Sequence, residues 1–186
     1  FLDKGAMIAP VINEGYRRAR KYNGSFMVIT QSLLDLDNFG EVGSVINSNS
    51  MNTSVAQNYT GNVTVNPGSG DFLVRGGALN VSGNATFNAG RVLQQTSLNA
   101  TGSGSLTFNA PLVANADNLS ITSGSGGVTF NSTLNSDAAS TLRNLTVTAT
   151  GGDVTLNATV GGTLRLDNLL INANNLVVPN ANLSVS

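Results

Sequence analysis

The tetrapeptide Val128-Thr129-Phe130-Asn131 has a pattern of apolar residue, Thr, apolar residue and Asn that returns along the chain. The spacings between successive motif Asn residues are 22, 21, 22 and 26, and residues 176–180 form a degenerate sixth copy. A fixed period just above 20 residues is typical of a solenoid or another stacked array. The other copies are Val63-Thr64-Val65-Asn66, Ala85-Thr86-Phe87-Asn88, Leu106-Thr107-Phe108-Asn109 and Val154-Thr155-Leu156-Asn157.

Each copy alternates apolar and polar residues with the period of a β-strand, so its two apolar side chains face one way and its Thr the other. Coils stacked in parallel would bury these apolar residues in two interior rows, and no coil could bury its own apolar face alone. We therefore predict a mainly β protein, a parallel β-helix (β-solenoid) of about six coils. The alternative is an antiparallel β-sandwich, because short strands with Gly-rich turns suit that fold too.

A second strand-like element precedes most copies of the motif, and turns rich in Gly and Ser lie between the two elements. This arrangement predicts two strands in each coil. The second elements are Leu79-Asn80-Val81, Leu98-Asn99-Ala100, Leu119-Ser120-Ile121, Leu145-Thr146-Val147 and Leu169-Leu170-Ile171.

The motif Asn residues would lie above one another if the coils stack in register. Amide side chains at such positions bond to the amides of the coils above and below, and Asn also tolerates the left-handed backbone of a sharp corner. We therefore predict a structural amide ladder of Asn66, Asn88, Asn109, Asn131 and Asn157.

The composition excludes several classes of function. Charged residues make up 10% of the 186 residues and the net charge is −1, so the broad basic surface of a nucleic-acid-binding protein is absent. The chain has no Cys and no His, which excludes disulfides, thiolate or imidazole metal sites and Ser–His–Asp triads. The acids after residue 60 occupy different places relative to the motif, and no apolar run is long enough to span a bilayer. We therefore predict no catalytic residue, no metal site, no cofactor and no membrane-spanning segment.

The charges divide the chain into parts of different character, because residues 1–50 hold ten of the nineteen charged side chains. Pro10 begins a helical pattern that ends near Gly24, residues 26–30 form a continuous apolar run, and a second helix and a short strand are predicted at 33–39 and 42–46. We therefore predict a helix–strand–helix fragment or cap at 1–48, a polar linker at 49–60 and the solenoid repeats at 61–186. Since the chain begins at Phe1 rather than Met, we expect it to be part of a longer protein.

Residues 56–186 resemble the β-strand repeats of bacterial exoproteins of the filamentous-haemagglutinin and autotransporter-adhesin type. The resemblance rests on phrases such as Gly126-Gly127-Val128-Thr129-Phe130-Asn131 and Gly151-Gly152-Asp153-Val154-Thr155-Leu156-Asn157. It implies a right-handed parallel β-helix that is secreted to the bacterial cell surface, associated with the outer membrane, and serves as a stalk or adhesive fibre. Its implied partners are host or surface glycans, other cell-surface proteins and neighbouring coils of a longer solenoid.

Residues 1–48 resemble a C-terminal fragment of the conjugative-transfer ATPases of type IV secretion systems. The resemblance rests on residues 14–24 and on the stretch Phe26-Met27-Val28-Ile29-Thr30-Gln31-Ser32. In that family a strand ends in Thr-Gln and its Gln senses the nucleotide, so the resemblance implies a nucleotide-sensing role for Gln31. The chain has no G-x-x-x-x-G-K-[ST] loop, and without that cradle nothing holds a triphosphate.

From these observations we expect a non-catalytic structural or adhesive repeat segment of a secreted bacterial surface exoprotein. The alternatives are a fragment of a conjugative-transfer ATPase that carries a repeat tail, and a carbohydrate-active β-helix protein.

Overall fold

The computed structural model describes residues 44–139, 143–179 and 181–185. They lie within one compact unit, Gly43–Ser186. The elements predicted at 10–24, 26–30 and 33–39 lie outside the described residues, and so does Gln31.

The described residues form short β-strands that follow one another with tight turns between them. They are, in chain order, β1 (Ser44–Ile46), β2 (Ser50–Thr53), β3 (Gln57–Tyr59), β4 (Val63–Val65), β5 (Asp71–Gly76), β6 (Leu79–Val81), β7 (Ala85–Phe87), β8 (Arg91–Gln94), β9 (Leu98–Ala100), β10 (Leu106–Phe108), β11 (Leu112–Ala114), β12 (Leu119–Ser123), β13 (Val128–Phe130), β14 (Leu134–Ser136), β15 (Asn144–Ala149), β16 (Val154–Leu156), β17 (Asn168–Ala173) and β18 (Leu176–Val177).

The strands build three parallel sheets, and each of the first five coils adds one strand to each sheet in turn. Among the described residues of the next coil, the second sheet has only an isolated bridge, between Val160 and Leu134. The first sheet has the order β1-β4-β7-β10-β13-β16-β18, the second β2-β5-β8-β11-β14, and the third β3-β6-β9-β12-β15-β17. Every strand pairing within the described part of the chain is parallel. The predicted β-solenoid of about six coils is therefore confirmed, and the antiparallel sandwich is wrong.

The repeated motif forms the first sheet in strict register. Thr107 pairs with Thr86 on one side and with Thr129 on the other, and Thr129 pairs with Thr155. The longer spacing of 26 residues between Asn131 and Asn157 is taken up outside these strands, because the pairing on both sides stays in register. Parallel stacking therefore tolerates turns of different length while the strands remain aligned.

The two predicted interior rows form the core. All ten motif side chains on the inward face are buried, and the Thr between them are partly exposed on the outward face. The rings of Phe87 and Phe108 stack with centroids 4.7 Å apart, and those of Phe108 and Phe130 with centroids 5.1 Å apart. Stacked rings at these distances add aromatic attraction to the burial of apolar area.

The sequence predicted two strands in each coil, and the structure has three. The motif strands form the first sheet and the second elements form the third, so the strands missed are those of the second sheet. These strands are short, and two of them turn polar side chains inward, Gln94 in β8 and Ser136 in β14. Their alternation of apolar and polar residues is therefore weaker than that of the motif, and Leu112-Val113-Ala114 is apolar at all three positions.

The boundary predicted at residues 49–60 is wrong. This stretch contains β2 and β3, which pair with β5 and β6, so it belongs to the first coil and is not a linker. The strand β1, which the sequence assigned to the N-terminal segment, pairs with β4 in the first sheet. Polar residues can form this coil because Met51 alone faces the core as a fully apolar side chain in β2, while its neighbours face outward.

Glycine is required at the turn that follows β12, where successive coils approach closely. A Cβ atom on Gly124 would overlap the backbone carbonyl oxygen of Gly102 in the coil below. No side chain can be accommodated between two backbones at this distance, so Gly124 sets how tightly the corners stack.

Candidate functional site

The motif Asn side chains form a continuous ladder along the edge of the first sheet from Asn88 to Asn157. The Nδ2 of Asn109 donates to the Oδ1 of Asn88, Asn131 donates to Asn109, and Asn157 donates to Asn131, each at 2.8 Å. Asn66 occupies the equivalent place in the coil below, where its backbone N–H donates to the carbonyl of Ile46 at 2.8 Å. The run of side-chain bonds thus starts at Asn88.

The backbone fixes the position of each ladder residue. The backbone N–H of Asn109 donates to the carbonyl of Phe87 at 3.0 Å, and that of Asn131 donates to the carbonyl of Phe108 at 2.8 Å. Each amide inside the ladder uses one N–H and one oxygen lone pair along the stack, so a second N–H and a second lone pair face solvent. The ladder is therefore an ordered polar surface as well as a stabilising element.

Two further amide ladders lie on the third sheet, and sequence reasoning did not identify them. Asn99 donates to Asn80, and Asn80 donates to Asn58, both at 2.8 Å. The signal was the recurring Leu-Asn pair in the second elements, where Asn is the outward residue between two inward ones. The other ladder joins Asn168 to Asn144 at 2.9 Å and Asn144 to Asn118 at 3.5 Å.

The acids after residue 60 each have a partner within the described residues. Asp71 forms a two-bond ion pair with Arg91, at 3.0 Å to Nε and 2.6 Å to Nη2. Asp137 forms a second two-bond pair with Arg143, at 2.8 and 3.0 Å, and Asp117 lies 3.6 Å from the same guanidinium. Two of the acids expected to lie apart are thus brought together by one Arg. The other two make hydrogen bonds with amides, Asp153 with Asn175 and Asp167 with Asn168.

The ion pairs keep these carboxyls ionised. The hydrogen bonds from Arg91 lower the pKa of Asp71, and those from Arg143 lower the pKa of Asp137, in both cases against a smaller opposing effect of burial. A general acid at neutral pH needs a carboxyl whose pKa is raised. Neither Asp71 nor Asp137 meets that requirement.

A groove of about 390 Å³ lies on the outer face of the second sheet. Its floor carries outward side chains of three neighbouring strands, Leu93 of β8, Val113 of β11 and Asn135 of β14. Arg91, which pairs with Asp71, and Asp137, which pairs with Arg143, also line it. The groove combines apolar area with several polar groups.

One buried amide sits behind this groove in the core. The Nε2 of Gln94 donates to the carbonyls of Thr96 at 2.9 Å and Ser120 at 3.0 Å, which joins two successive coils. Its Oε1 is buried without a hydrogen-bond partner among the described residues. Gln94 therefore provides a link between coils that an apolar residue would not.

No group of metal-ligating side chains is found in residues 44–139, 143–179 and 181–185. The described part of the chain also holds no helix that is long and apolar enough to cross a membrane.

The geometry is the basis for any functional conclusion, because the comparisons with known proteins are negative. No family model, no curated protein and no solved structure matches the chain.

Proposed function

We infer that the chain is a non-catalytic structural and adhesive segment of a secreted bacterial surface exoprotein. The observation that carries the proposal is the in-register stack itself, in which the same three-strand coil is repeated and each coil contacts only its neighbours. Such a stack lengthens by adding coils without any change in its cross-section. That property suits a stalk that presents a binding surface at a distance from its point of attachment.

The polar surface supports the same reading. Stacked coils place equivalent side chains about 4.8 Å apart, where like charges would repel one another. The outward rows instead carry Thr and Asn, and the Asn amides bond along the stack. A long repeat can thus stay hydrated without an accumulation of charge.

The state of the acids supports a non-catalytic role. Hydrogen bonds from Arg91 and Arg143 lower the pKa of Asp71 and Asp137, so neither carboxyl is arranged as a proton donor to a leaving group. Incubation with a panel of polysaccharides should release no reducing ends above a buffer control. Release of reducing ends by the purified chain would contradict this part of the proposal.

The location is tested with antibodies raised against the purified chain. Intact, unpermeabilised cells of the source organism should be labelled as strongly as permeabilised ones. Labelling that requires permeabilisation would overturn the assignment to the cell surface.

Adhesion is tested with polystyrene beads coated with the chain and applied to monolayers of glycosylated epithelial cells. Coated beads should remain attached under a flow that removes beads coated with albumin. Equal removal of the two kinds of bead would show that the chain is a scaffold without adhesive function.

A further inference from the structure

We propose that the groove on the outer face of the second sheet binds a short, uncharged oligosaccharide. The inference rests on the proposed adhesive function and names the surface and the ligand class that carry it. The volume of about 390 Å³ lies within the roughly 300–1,000 Å³ range of small-molecule sites.

The floor of the groove suits the C–H faces of sugar rings. Leu93 and Val113 face outward on adjacent strands in direct register, and both are partly buried although they lie outside the core. Pro111, at the turn before β11, extends this apolar surface. An aliphatic floor about two strands wide, roughly 4.8 Å from one strand to the next, offers a flat apolar contact to a pyranose ring.

The polar groups on the walls suit hydroxyls. The Oδ1 of Asn115 accepts a hydrogen bond from Gln95 at 3.3 Å, which orients the amide and leaves its Nδ2 without a protein acceptor in the described residues. Arg91 uses Nε and Nη2 for Asp71, so its Nη1 retains two N–H donors. Asp137 retains acceptor capacity on both carboxylate oxygens. Planar groups held in place by a second partner lose little conformational entropy when they bind a hydroxyl.

The charges around the groove favour an uncharged ligand. Two charged residues among those described line the groove, Arg91 and Asp137, and each is paired with an opposite charge outside the lining, Asp71 and Arg143. Asp117 also contacts Arg143, so these five charged groups in and beside the groove are two cations and three carboxylates. A sulfated or carboxylated glycan would meet no unpaired cation among these residues and would lie near an excess of negative charge. An uncharged oligosaccharide is not repelled by this negative charge.

At the end of the groove the chain leaves the regular coil. The backbone N–H groups of Thr163 and Leu164 donate to the Oδ1 of Asn135 at 3.2 and 3.5 Å, and the backbone N–H of Ser136 donates to the carbonyl of Leu164 at 3.0 Å. Beyond β14, within the described residues, the second sheet continues only as isolated parallel bridges, from Leu134 to Val160 and from Val160 to Leu183. Thr163 and Leu164 line the groove at this end.

The test measures binding of the purified chain to an immobilised panel of uncharged tri- and tetrasaccharides of hexoses and N-acetylhexosamines, with sulfated forms of the same backbones. We expect binding to at least one uncharged member and weaker binding to its sulfated form. The substitution Val113→Arg fills the floor with a long charged side chain and should weaken binding at least about tenfold. Its matched control is Thr107→Arg, which places the same side chain on the outer face of the first sheet in the same coil and should leave binding unchanged.

A second, smaller change keeps the test valid if Val113→Arg disturbs folding. Asn115→Ala removes the free Nδ2 donor and should weaken binding by about fivefold, as expected for the loss of one hydrogen bond. Asn172→Ala, an exposed Asn of β17 away from the groove, is the control and should bind as the unchanged chain does.

The outcomes show whether saccharide binding at the groove and adhesion to cells fail together or separately. The proposal that the groove binds an uncharged oligosaccharide is wrong if no uncharged saccharide binds or if the sulfated forms bind more tightly. It is also wrong if the Val113→Arg and Asn115→Ala variants both bind normally. If the groove does not bind saccharide but coated beads still attach to cells, the adhesive function is supported and another surface carries it. If saccharide binding depends on Val113 but coated beads detach, the groove stands and the adhesive role fails.

Discussion

At the residue scale, the position of a side chain in its coil decides what it contributes. Asn66 and Asn109 occupy the same place in the motif, yet only Asn109 has amides bonded both above and below it, to Asn131 and Asn88. A net contribution of about 0.5–1.5 kcal/mol is typical of one hydrogen bond, and less is expected at an exposed site.

Removing one amide from the middle of the ladder should therefore destabilise the protein measurably. We expect Asn109→Ala to lower the free energy of unfolding by about 1–2 kcal/mol, because two side-chain bonds are lost. Asn66→Ala is the matched control and should change it by less than about 0.5 kcal/mol. Urea unfolding followed by circular dichroism measures both values, and equal effects of the two substitutions would show that the ladder bonds contribute nothing.

The ion pair of Asp137 and Arg143 makes a pH-dependent contribution. The pKa of Asp137 is lowered in the folded state, chiefly by its hydrogen bonds from Arg143, so the folded state binds this proton less readily than the unfolded state. The stabilisation is present above the ordinary aspartate pKa of about 3.9 and is lost as the pH falls through the lowered folded-state value.

We therefore expect the free energy of unfolding to fall less steeply with acidification below about pH 4 in Asp137→Asn than in the unchanged chain. Arg143→Gln removes the partner of the carboxylate and should reduce the slope in the same way. Unfolding curves measured between about pH 2 and pH 6 give the slopes. An unchanged slope in both variants would show that the pair does not stabilise the fold.

At the scale of the element, the turns set the distance between coils. Gly124 lies where two backbones meet, and a Cβ atom there would overlap the carbonyl oxygen of Gly102. At Gly70 the Cβ would instead meet the end of the Asn49 side chain at 3.1 Å, which can move aside.

The two glycines should therefore respond differently to the same substitution. We expect Gly124→Ala to destabilise the protein by about 1–3 kcal/mol, the range for overpacking in a closely packed site. Gly70→Ala should change stability by less than about 1 kcal/mol, because only a flexible side chain must adjust. Thermal unfolding compares the two, and similar midpoints would contradict the close approach at Gly124.

The strands of the first sheet show what can be predicted for an element. Period-2 alternation in Val128-Thr129-Phe130 assigned both the strand and the inward side chains, because an apolar residue at every second position has one way to reach the core. The strands of the second sheet escaped prediction because Gln94 and Ser136 face inward and Leu93 and Val113 face outward. At these positions a polar residue faces the core or an apolar residue faces outward, which interrupts the alternation.

At the scale of the whole molecule, the stack is close to one-dimensional. The pairing of β7 with β10 is equivalent to that of β10 with β13, since Phe108 lies opposite Phe87 on one side and Phe130 on the other. Leu106 and Val128 are equivalent positions in successive coils, so residues 106–127 are one complete repeat.

Removing one complete coil should therefore leave a folded protein. We expect deletion of residues 106–127 to preserve the β-sheet circular dichroism spectrum and a single cooperative transition, with a lower free energy of unfolding because one interface between coils is lost. Deletion of residues 106–116 removes only part of a coil, places unrelated strands beside one another, and should abolish the cooperative transition. Retention of cooperativity in the partial deletion would show that register is not essential.

The parallel solenoid, its inward rows and the alignment of the motif Asn residues could all be predicted from the repeated motif. The alternation of apolar and polar residues lies within four residues and recurs at a near-constant spacing. Every copy of the motif therefore forms the same strand and pairs with the copies before and after it. Three features become visible only in the folded stack: the third strand of the first five coils, the membership of residues 49–60 in a coil, and the meeting of Asp117 and Asp137 at Arg143. These features depend on side chains from turns and from different coils, and their distances in space are set only when the coils stack. The groove over Leu93 and Val113 arises in the same way, because its floor and walls come from successive coils.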